Sequence, residues 1–545
     1  MRLKTDFCDG EKHSLWLCAE GEKRNPYMAQ ASIVTVPARA EKWVLTATIL
    51  ASGMAFVDVT ALNVALPALQ ANLDVTGAQL LWVVNAYALF LSSLIMVGGA
   101  LGDHYGHKRI FMAGILVFTG ASLVCGLSSG IETLIAARAV QGIGGAMMIP
   151  GSLAIITASF GPERRGRAIG TWSMFSTLTT MMGPVLGGWL AGQGLWRLVF
   201  FINLPLAVAA LTALVLHVPE SRDENAPKRL DFPGALLATL GLAGLTYGFI
   251  EAPDAGFGEP RILLALGFGA AALVAFVVVE ARSPHPMIPL RLFRSRTFSG
   301  ANLLTLFLYA AMGVAPFFLV LNAVQIQGYP EAAAGFVMIP FGILLTMMSR
   351  WAGGLTDRVG ARLPLTVGPA IAGTGFLLLA LPGLTNGPQD YWTSYFPAVV
   401  TMGIGMGITV APLSTAVMGS APLGSSGTAS GINNAVARTA GVLAVAILGS
   451  VALVTFGQSL DNRTRDLPLS DAARLELRAE ARNLAAAQPP AVLTDALALE
   501  VQAAIRWSFV DAFRLVVVIA GALGWLGALL AALTIERKGG NSGGV

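Results

Sequence analysis

The chain is predicted to be an all-α integral membrane protein that crosses the bilayer fourteen times. Three observations predict this. Of 545 residues, 55% are hydrophobic and only 12% are charged, where an average soluble domain has roughly 25% charged residues. Fourteen apolar runs each reach about 19 residues, the length a helix needs to span roughly 30 Å of hydrocarbon. With no water to satisfy backbone groups, such runs must be helical. Every second connector between them is basic, which assigns those connectors to the cytoplasmic side.

Taken in chain order, residues 1–42 are polar and contain only SLWLC as an apolar piece, too short for the core of a secretion signal. A retained, disordered cytoplasmic tail is expected there, with Met28 as an alternative start. Six runs near 43–66, 80–101, 109–128, 132–158, 168–191 and 197–217 form an N-terminal half over 43–218. Two further runs near 232–250 and 262–280 occupy 219–297 with their linkers. Six more, near 298–322, 331–353, 364–384, 392–417, 429–456 and 510–534, form a C-terminal half over 298–535, followed by a tail over 536–545.

The basic connectors hold Lys23, Arg24 and Lys42, then Lys108 and Arg109, then Arg164, Arg165 and Arg167, then Lys228 and Arg229, then Arg291, Arg294 and Arg296. PALQANLDVTGAQ, LSSGIE and NAVQIQGYPE between them carry no Lys or Arg, so both termini are expected in the cytoplasm. The connector 457–509 departs from this rule: it is expected outside yet holds Arg463, Arg465, Arg474, Arg478 and Arg482, interleaved with acids such as Asp466, Asp471, Glu476 and Glu480. Its segment SDAARLELRAEARNLAAA reads as the charged helix of a solvated outer cap, halted by Pro489 and Pro490.

Several functional classes are disfavoured. The net charge of +4 is spread over short connectors, which leaves no nucleic-acid footprint. Cys8, Cys18 and Cys125 lack metal-ligand spacing, and no His lies deep inside a run, so no metal site is expected. An intramembrane enzyme would need a nucleophile and base or a metal constellation, and none of the H-E-x-x-H, G-x-S-x-G or Walker lysine patterns occurs.

Internal repetition carries the architecture. GALGDHYG (Gly99 to Gly106) and GGLTDRVG (Gly353 to Gly360) share G-x-L-x-D-x-x-G at an offset of 254, and GIGGAMMIP from Gly142 echoes GIGMGITVAP from Gly403 at 261. Two echoes at nearly one offset indicate two homologous halves, the plan of many secondary transporters, and removing the central pair leaves an offset of about 190, suited to six helices. The plan is six, two, six.

Two charges inside these spans stand out, whereas Asn433, Asn434 and Arg438 in the thirteenth run and Asp511 with Arg514 at the edge of the fourteenth are as well explained as packing contacts and are given no role. Asp58 lies in MAFVDVTALNVALPALQ, about 15 residues into the first run and therefore roughly 22 Å along a helix. A charge at the bilayer centre costs about 3 kcal/mol on insertion scales, so an acid there is a functional candidate. Arg138 in the fourth run is permanently charged and needs a carboxylate, carbonyls or cavity water. Asp103 stands where a helix C-terminus meets water, disfavoured by its own helix dipole, and needs a partner. Arg109, or the N-terminus of a helix from the other half, could provide one, and alternate making and breaking of that contact would form a conformational latch. The second copy offers Asp357, Arg358 and Arg362 without the full basic cluster. Gly183, Pro184, Gly187 and Gly188 would bend the fifth span and let a neighbouring helix approach closely.

With these residues placed, the chain resembles the major facilitator superfamily, and within it the fourteen-span drug:proton antiporter branch, over nearly all of 43–535. FVDVTALNVALP resembles that branch's first-helix signature. GALGDHYGHKR resembles the superfamily's loop motif, with Gly99, Asp103, Gly106, Lys108 and Arg109 in register. RAVQGIGGA resembles the proton-linked motif, with Arg138, Gln141, Gly142 and Gly144 matching. GPVLGG resembles the antiporter motif, and WRLVFFINLP and PLRLFRSRTFSGANL resemble further stretches of the branch.

The resemblance implies the major facilitator fold with two extra central helices. It implies a proton-coupled efflux transporter, a drug:proton antiporter of the cytoplasmic membrane, that uses no cofactor beyond the proton gradient. Asp58 and Arg138 are the candidates for proton coupling. Trp82, Tyr87, Gln141, Trp172, Phe175, Tyr309, Met312 and Phe317 are candidate cavity residues, since aromatic and Met surfaces suit varied apolar ligands. The partners expected are protons, the lipid bilayer and an amphipathic organic compound that a cationic group would suit. No nucleic acid is expected, and the protein is expected to be a monomer. Whether a periplasmic adaptor carries cargo onward is not written in the sequence. Export of one specific metabolite (an antibiotic, siderophore or lipid precursor) stays open beside multidrug efflux, as does a non-transporting membrane sensor.

Overall fold

The structure is a computed structural model that describes residues 38–222, 231–284, 286–422 and 426–536, with the backbone alone at 38–40, Pro162, Asp357 and Ser426. The expected tails through residue 37 and from 537, the pair Lys228 and Arg229, His285 and the Asp357 carboxylate lie outside the described residues.

The described regular structure is helical. In the first half α1 (Ala38–Leu73), α2 (Gly77–Tyr105), α3 (His107–Leu127), α4 (Ile131–Ser159) and α5 (Pro162–Gly192) are followed by a broken sixth element, α6 (Leu198–Phe201) and α7 (Asn203–His217). The central pair is α8 (Phe232–Ala255) and α9 (Pro260–Arg282). The second half holds α10 (Arg296–Leu321), α11 (Glu331–Phe336), α12 (Ile339–Val359), α13 (Arg362–Leu378), α14 (Tyr391–Ser394), α15 (Phe396–Gly419), α16 (Ser426–Thr464), α17 (Asp471–Glu480) and α18 (Asp495–Thr534).

Local chemistry explains the ends of these elements. Thr76 and Gln79 form a reciprocal capping box that starts α2, satisfying two N–H groups that a helix leaves unpaired. Gly106, at φ 108°, and Gly360, at φ 79°, end the two copies of the repeated motif and turn the chain there, in a backbone region in which a Cβ is strained.

Among the described residues twelve helices are long and apolar enough to cross a membrane, two fewer than the fourteen expected. The two that fall short are the expected fifth and eleventh spans. α5 opens on Pro-Glu-Arg-Arg-Gly-Arg and carries a run of Ser and Thr, and α13 has only 17 residues.

Within the first half α4 packs on α2 and α3, and α1 packs on α5 and α7. In the second, α13 packs on α15 and α18, α12 on α15, and α10 on α16 and α18. The halves meet where α2 faces α16 and α5 faces α11. α8 sits on both α2 and α16, while α9 presents Leu263, Leu264, Phe268 and Val274 outward, the apolar face a lipid-exposed helix needs.

The connector expected over 457–509 is shorter than its sequence suggests. α16 continues to Thr464 and α18 begins at Asp495, so the cap proper is 465–494. Its helix ends at Glu480 and a 3-10 turn follows over Ala481–Ala486, so the chain leaves helical geometry before Pro489. The cap is also not simply solvated. Leu469, Ala473, Leu477 and Leu484 are buried in one apolar core with Leu66, Leu81, Phe318 and Phe509 from both halves. Gln70 Nε2 donates to Asn483 O at 3.0 Å and Gln325 Nε2 donates to Gln70 Oε1 at 3.0 Å, while Arg482 reaches Asp254 of α8 at 3.4 Å. Halves, central pair and cap are therefore tied together at this end. Toward the opposite end the core divides into one cluster around Phe111 and Phe118 and another around Phe298 and Leu413.

Candidate functional site

Asp58 stands near the middle of α1 and is completely buried. Its carboxylate accepts from the Arg138 guanidinium, from Gln141 Nε2 at 2.7 Å and from Asn203 Nδ2 at 3.4 Å. Arg138 Nη1 also donates to Gln141 Oε1 at 2.8 Å, and its Nε donates to Val83 O at 3.2 Å. The guanidinium lies 4.4 Å from the centroid of the Tyr87 ring. Asn203 Nδ2 donates in turn to Ser122 Oγ at 2.9 Å.

The local sequence builds this arrangement. Arg138 and Gln141 are three residues apart on α4 and so share a helix face. A Cβ on Gly142 would lie 2.4 Å from Tyr87 O, and one on Gly144 would lie 2.5 Å from Phe118 N. These glycines let α4 approach α2 and α3 at backbone contact and bring Tyr87 under Arg138. The break between α6 and α7 at Ile202 sets Asn203 at the start of α7.

Desolvating two charges costs several kcal/mol per ion, recovered only where the geometry is good and the remaining groups are hydrogen-bonded. Here α1, α2, α4 and α7 all contribute partners. The sequence readings of Asp58 and Arg138 as buried charges meet in one ion pair. Gln141 and Tyr87, expected to line a substrate cavity, instead complete this pair. Asn203 was missed, although it is the only carboxamide in the apolar stretch from Leu198 to His217, a signal available in the quoted WRLVFFINLP.

At the opposite end of α2, Asp103 accepts from His107 Nε2 at 2.9 Å, with His107 Nδ1 on Ser221 O at 2.9 Å. The partner is His107, not the expected Arg109, which instead faces Glu220 at 3.6 Å. The other expected partner, a helix start from the second half, is nearby. A cavity of about 310 Å³ is lined by Gly98, Gly99, Asp103, His107 and Met147 and also by Gly427 at the start of α16.

The loops carry a structural echo of the sequence repeat. Lys108 Nζ donates to Val218 O, just beyond α7, at 2.6 Å. Arg362, 254 residues later, donates through Nη2 to Ala532 O in the last turn of α18. Each half ties its basic loop to the end of its own last helix.

The glycine motif of α5 makes close contacts, with a side chain at Gly183 and with backbone at Gly187 and Gly188. A Cβ at Gly183 would fall 1.9 Å from Thr60 Oγ1, at Gly187 2.2 Å from Ala61 O, and at Gly188 2.3 Å from Glu331 O. Gly335 answers from the second half, 2.3 Å by the same measure from Pro184 O. The motif therefore seats α1 in the same half and α11 across the interface.

The remaining cavity candidates do not converge. Trp82 Nε1 donates to Glu251 Oε1 of α8 at 2.9 Å, which turns it toward the central pair. Trp172 Nε1 donates to Ser52 Oγ at 3.1 Å. Phe175 is exposed on α5, Tyr309 and Met312 pack partly buried against the second-half core, and Phe317 is buried edge-on to Phe318.

The fold and this intramembrane ion pair define a two-half helical membrane transporter. The sequence profile of the Major Facilitator Superfamily matches residues 48–445, and the chain belongs to that superfamily. It is a multi-pass membrane transporter and not an enzyme. It is 33% identical over 433 residues to the multidrug resistance protein Stp of Mycobacterium tuberculosis (strain CDC 1551 / Oshkosh), covering 78% of each chain. It is 37% identical over 416 residues to the cephamycin export protein CmcT of Amycolatopsis lactamdurans, covering 74% of this chain and 84% of that one. It is 29% identical over 507 residues to the tetracenomycin C resistance and export protein of Streptomyces glaucescens, covering 92% and 93%. Among solved structures it is similar to an inward-facing, unoccupied bacterial homolog of the human lysosomal transporter Spinster, with a TM-score of 0.63 at 19% identity over 92% of this chain and 100% of that one. That likeness speaks for the fold alone.

Proposed function

We propose that this chain is a proton-coupled efflux transporter of the cytoplasmic membrane that exports amphipathic small molecules by alternating access. The observation that carries the reading is the fully buried pair of Asp58 and Arg138, whose partners come from four helices. Protonation of Asp58 would remove the charge that holds Arg138, Gln141 and Asn203 together. The contacts among α1, α4 and α7 would then rearrange. Each elementary charge crossing the membrane supplies roughly 2.3 kcal/mol per 100 mV, and no further cofactor enters the scheme. The names of the relatives support efflux in both forms, multidrug resistance for one and export of a single antibiotic for the others. Export by proteoliposomes under an imposed pH gradient is the direct test, and absence of flux for every compound in a broad screen would overturn the reading.

The topology proposed with it has fourteen spans, both termini cytoplasmic, two six-helix halves flanking α8 and α9, and a monomeric unit. α5 and α13 supply the two additional crossings: α5 packs on α1 of its own half and on α11 across the interface, and α13 packs on α15 and α18. In a background without native cysteines, single cysteines at Ser129 and Asn386 should react with an impermeant thiol reagent from outside, and one at Ser295 only after permeabilisation. Labelling of Ser295 from outside would refute this topology.

The latch is proposed at Asp103. Losing one charge-assisted hydrogen bond costs about 1.5–3 kcal/mol, so Asp103→Asn should slow exchange by about tenfold or more with substrate binding retained. Normal exchange rates in that variant would exclude Asp103 from the conformational step.

A further inference from the structure

His107 opens α3 and is 8% exposed. Both of its ring nitrogens face oxygen acceptors: Nε2 is 2.9 Å from Asp103 Oδ1, and Nδ1 is 2.9 Å from the carbonyl oxygen of Ser221. A carboxylate and a carbonyl only accept, whereas a neutral imidazole has one N–H and one bare lone pair. The arrangement is therefore that of the imidazolium, which donates at both ends. A neutral ring that kept its bond to Asp103 would turn a lone pair on the Ser221 carbonyl, with the Ser221 hydroxyl, 3.3 Å from Nδ1, as the substitute donor. The two charge states of His107 thus call for different partners.

The surroundings fix the ring in place. His107 N donates to Ser221 O at 2.8 Å, and Glu220 Oε1 accepts from Lys108 N at 2.9 Å and from Ser221 N at 3.1 Å. Among the described residues the charged groups facing the imidazole are Asp103 of α2 and Glu220 beyond α7. On its own helix Lys108 turns to Val218 O and Arg109 to Glu220, and on α2 His104 stacks edge-on to Tyr105. α4 presents Met147, Pro150 and Gly151, none of them titratable.

This pair stands at the mouth between the halves. The cavity of about 310 Å³ beside it separates Asp103 and His107 from Gly427 in the first turn of α16. A carboxylate is favoured beside the N-terminus of a helix, so the imidazolium and the start of α16 compete for Asp103. A charge-assisted hydrogen bond is roughly twice as strong as a neutral one, so the charge on His107 biases that competition.

We propose that His107 is a positioning residue that makes the latch sensitive to cytoplasmic pH. Charged, it holds Asp103 and keeps the mouth between α2 and α16 open; neutral, it yields Asp103 to α16 and the mouth closes. This rests on the latch reading of Asp103. Its consequence is a brake: protons brought in by exchange accumulate on the side where they hold the mouth open, and turnover slows as that side acidifies.

The test uses full-length protein in lipid nanodiscs without substrate, in a background without native cysteines, with spin labels on cysteines placed at the exposed positions Tyr105 and Thr428. Distances are measured by pulsed electron resonance with one pH throughout each sample. An imidazole changes charge between about pH 5 and 8, so the short-distance population in wild type should rise about five- to tenfold across that range. His107→Gln should hold the high-pH population at every pH, and His107→Arg the low-pH population. Any slope common to both variants belongs to Asp58 and should vanish when Asp58→Asn is added. A population in wild type that is flat or falls with pH, or a wild-type step retained in His107→Gln or His107→Arg, would overturn the proposal. The latch reading fails separately: normal exchange in Asp103→Asn beside a His107-dependent step would remove the latch and leave the pH-dependent mouth. Slowed exchange in Asp103→Asn beside a step indifferent to His107 would do the reverse.

Discussion

Asp58→Asn should insert at normal abundance and lose proton-driven export, while Asp58→Glu keeps partial activity. The asparagine still offers one oxygen to Arg138, a substitute acceptor for that contact, while its amide NH2 stands where a carboxylate oxygen accepted from Gln141. It has no proton to take up or release at any accessible pH. It also leaves the Arg138 guanidinium without a counter-charge in a fully buried position, and removing one partner of such a pair costs about 3–5 kcal/mol. Thermal unfolding should therefore fall in Asp58→Asn and partly recover in Asp58→Asn combined with Arg138→Gln, because the second change removes the orphaned charge. Export should recover in neither. The decisive measurement is uptake into inverted proteoliposomes under an imposed pH difference. Accumulation against a gradient by Asp58→Asn would remove Asp58 from the coupling step.

Gly187→Leu should have the second largest effect, lowering both stability and transport. A Cβ there lies 2.2 Å from the carbonyl oxygen of Ala61 and 2.7 Å from its Cα. These are backbone atoms, so no rotamer change relieves the overlap, and α1 and α5 must separate. Overpacking of this kind costs about 1–3 kcal/mol, occasionally more. Ala61 is one turn from Asp58 on α1, so the displacement is also expected to draw the carboxylate away from Arg138. Gly170→Ala on the same helix, where nothing lies within 4 Å, should be neutral in both measurements. A Gly187→Leu protein that unfolds and transports like wild type would show that the close approach of α1 and α5 is dispensable.

What was legible in the sequence follows from the bilayer's simplicity as a solvent. The free energy of placing a segment in hydrocarbon is nearly a sum over its own residues, so the apolar helices, the repeat and the two functional halves' motifs could be read without knowing any contact. Asp58 and Arg138 were visible for the same reason, because a charge in such a segment is costly wherever its partner stands. The count of spans was less secure where that sum is marginal, in the Ser- and Thr-rich α5 and the 17-residue α13.

What only the tertiary structure decided is which groups meet. Asp58 and Asn203 are 145 residues apart, and no local periodicity reports a hydrogen bond between helices. Tyr87 and Gln141 were legible as aromatic and amide residues inside spans, but only the glycine-mediated approach of α4 to α2 assigns them to the ion pair and not to an open cavity. His107 displaced Arg109 as the partner of Asp103 because the turn at Gly106 starts α3 with the imidazole one helical turn from the carboxylate, while Arg109 points to Glu220. The cap looked solvated because its charges dominate its composition, yet its few apolar side chains are seated on both halves.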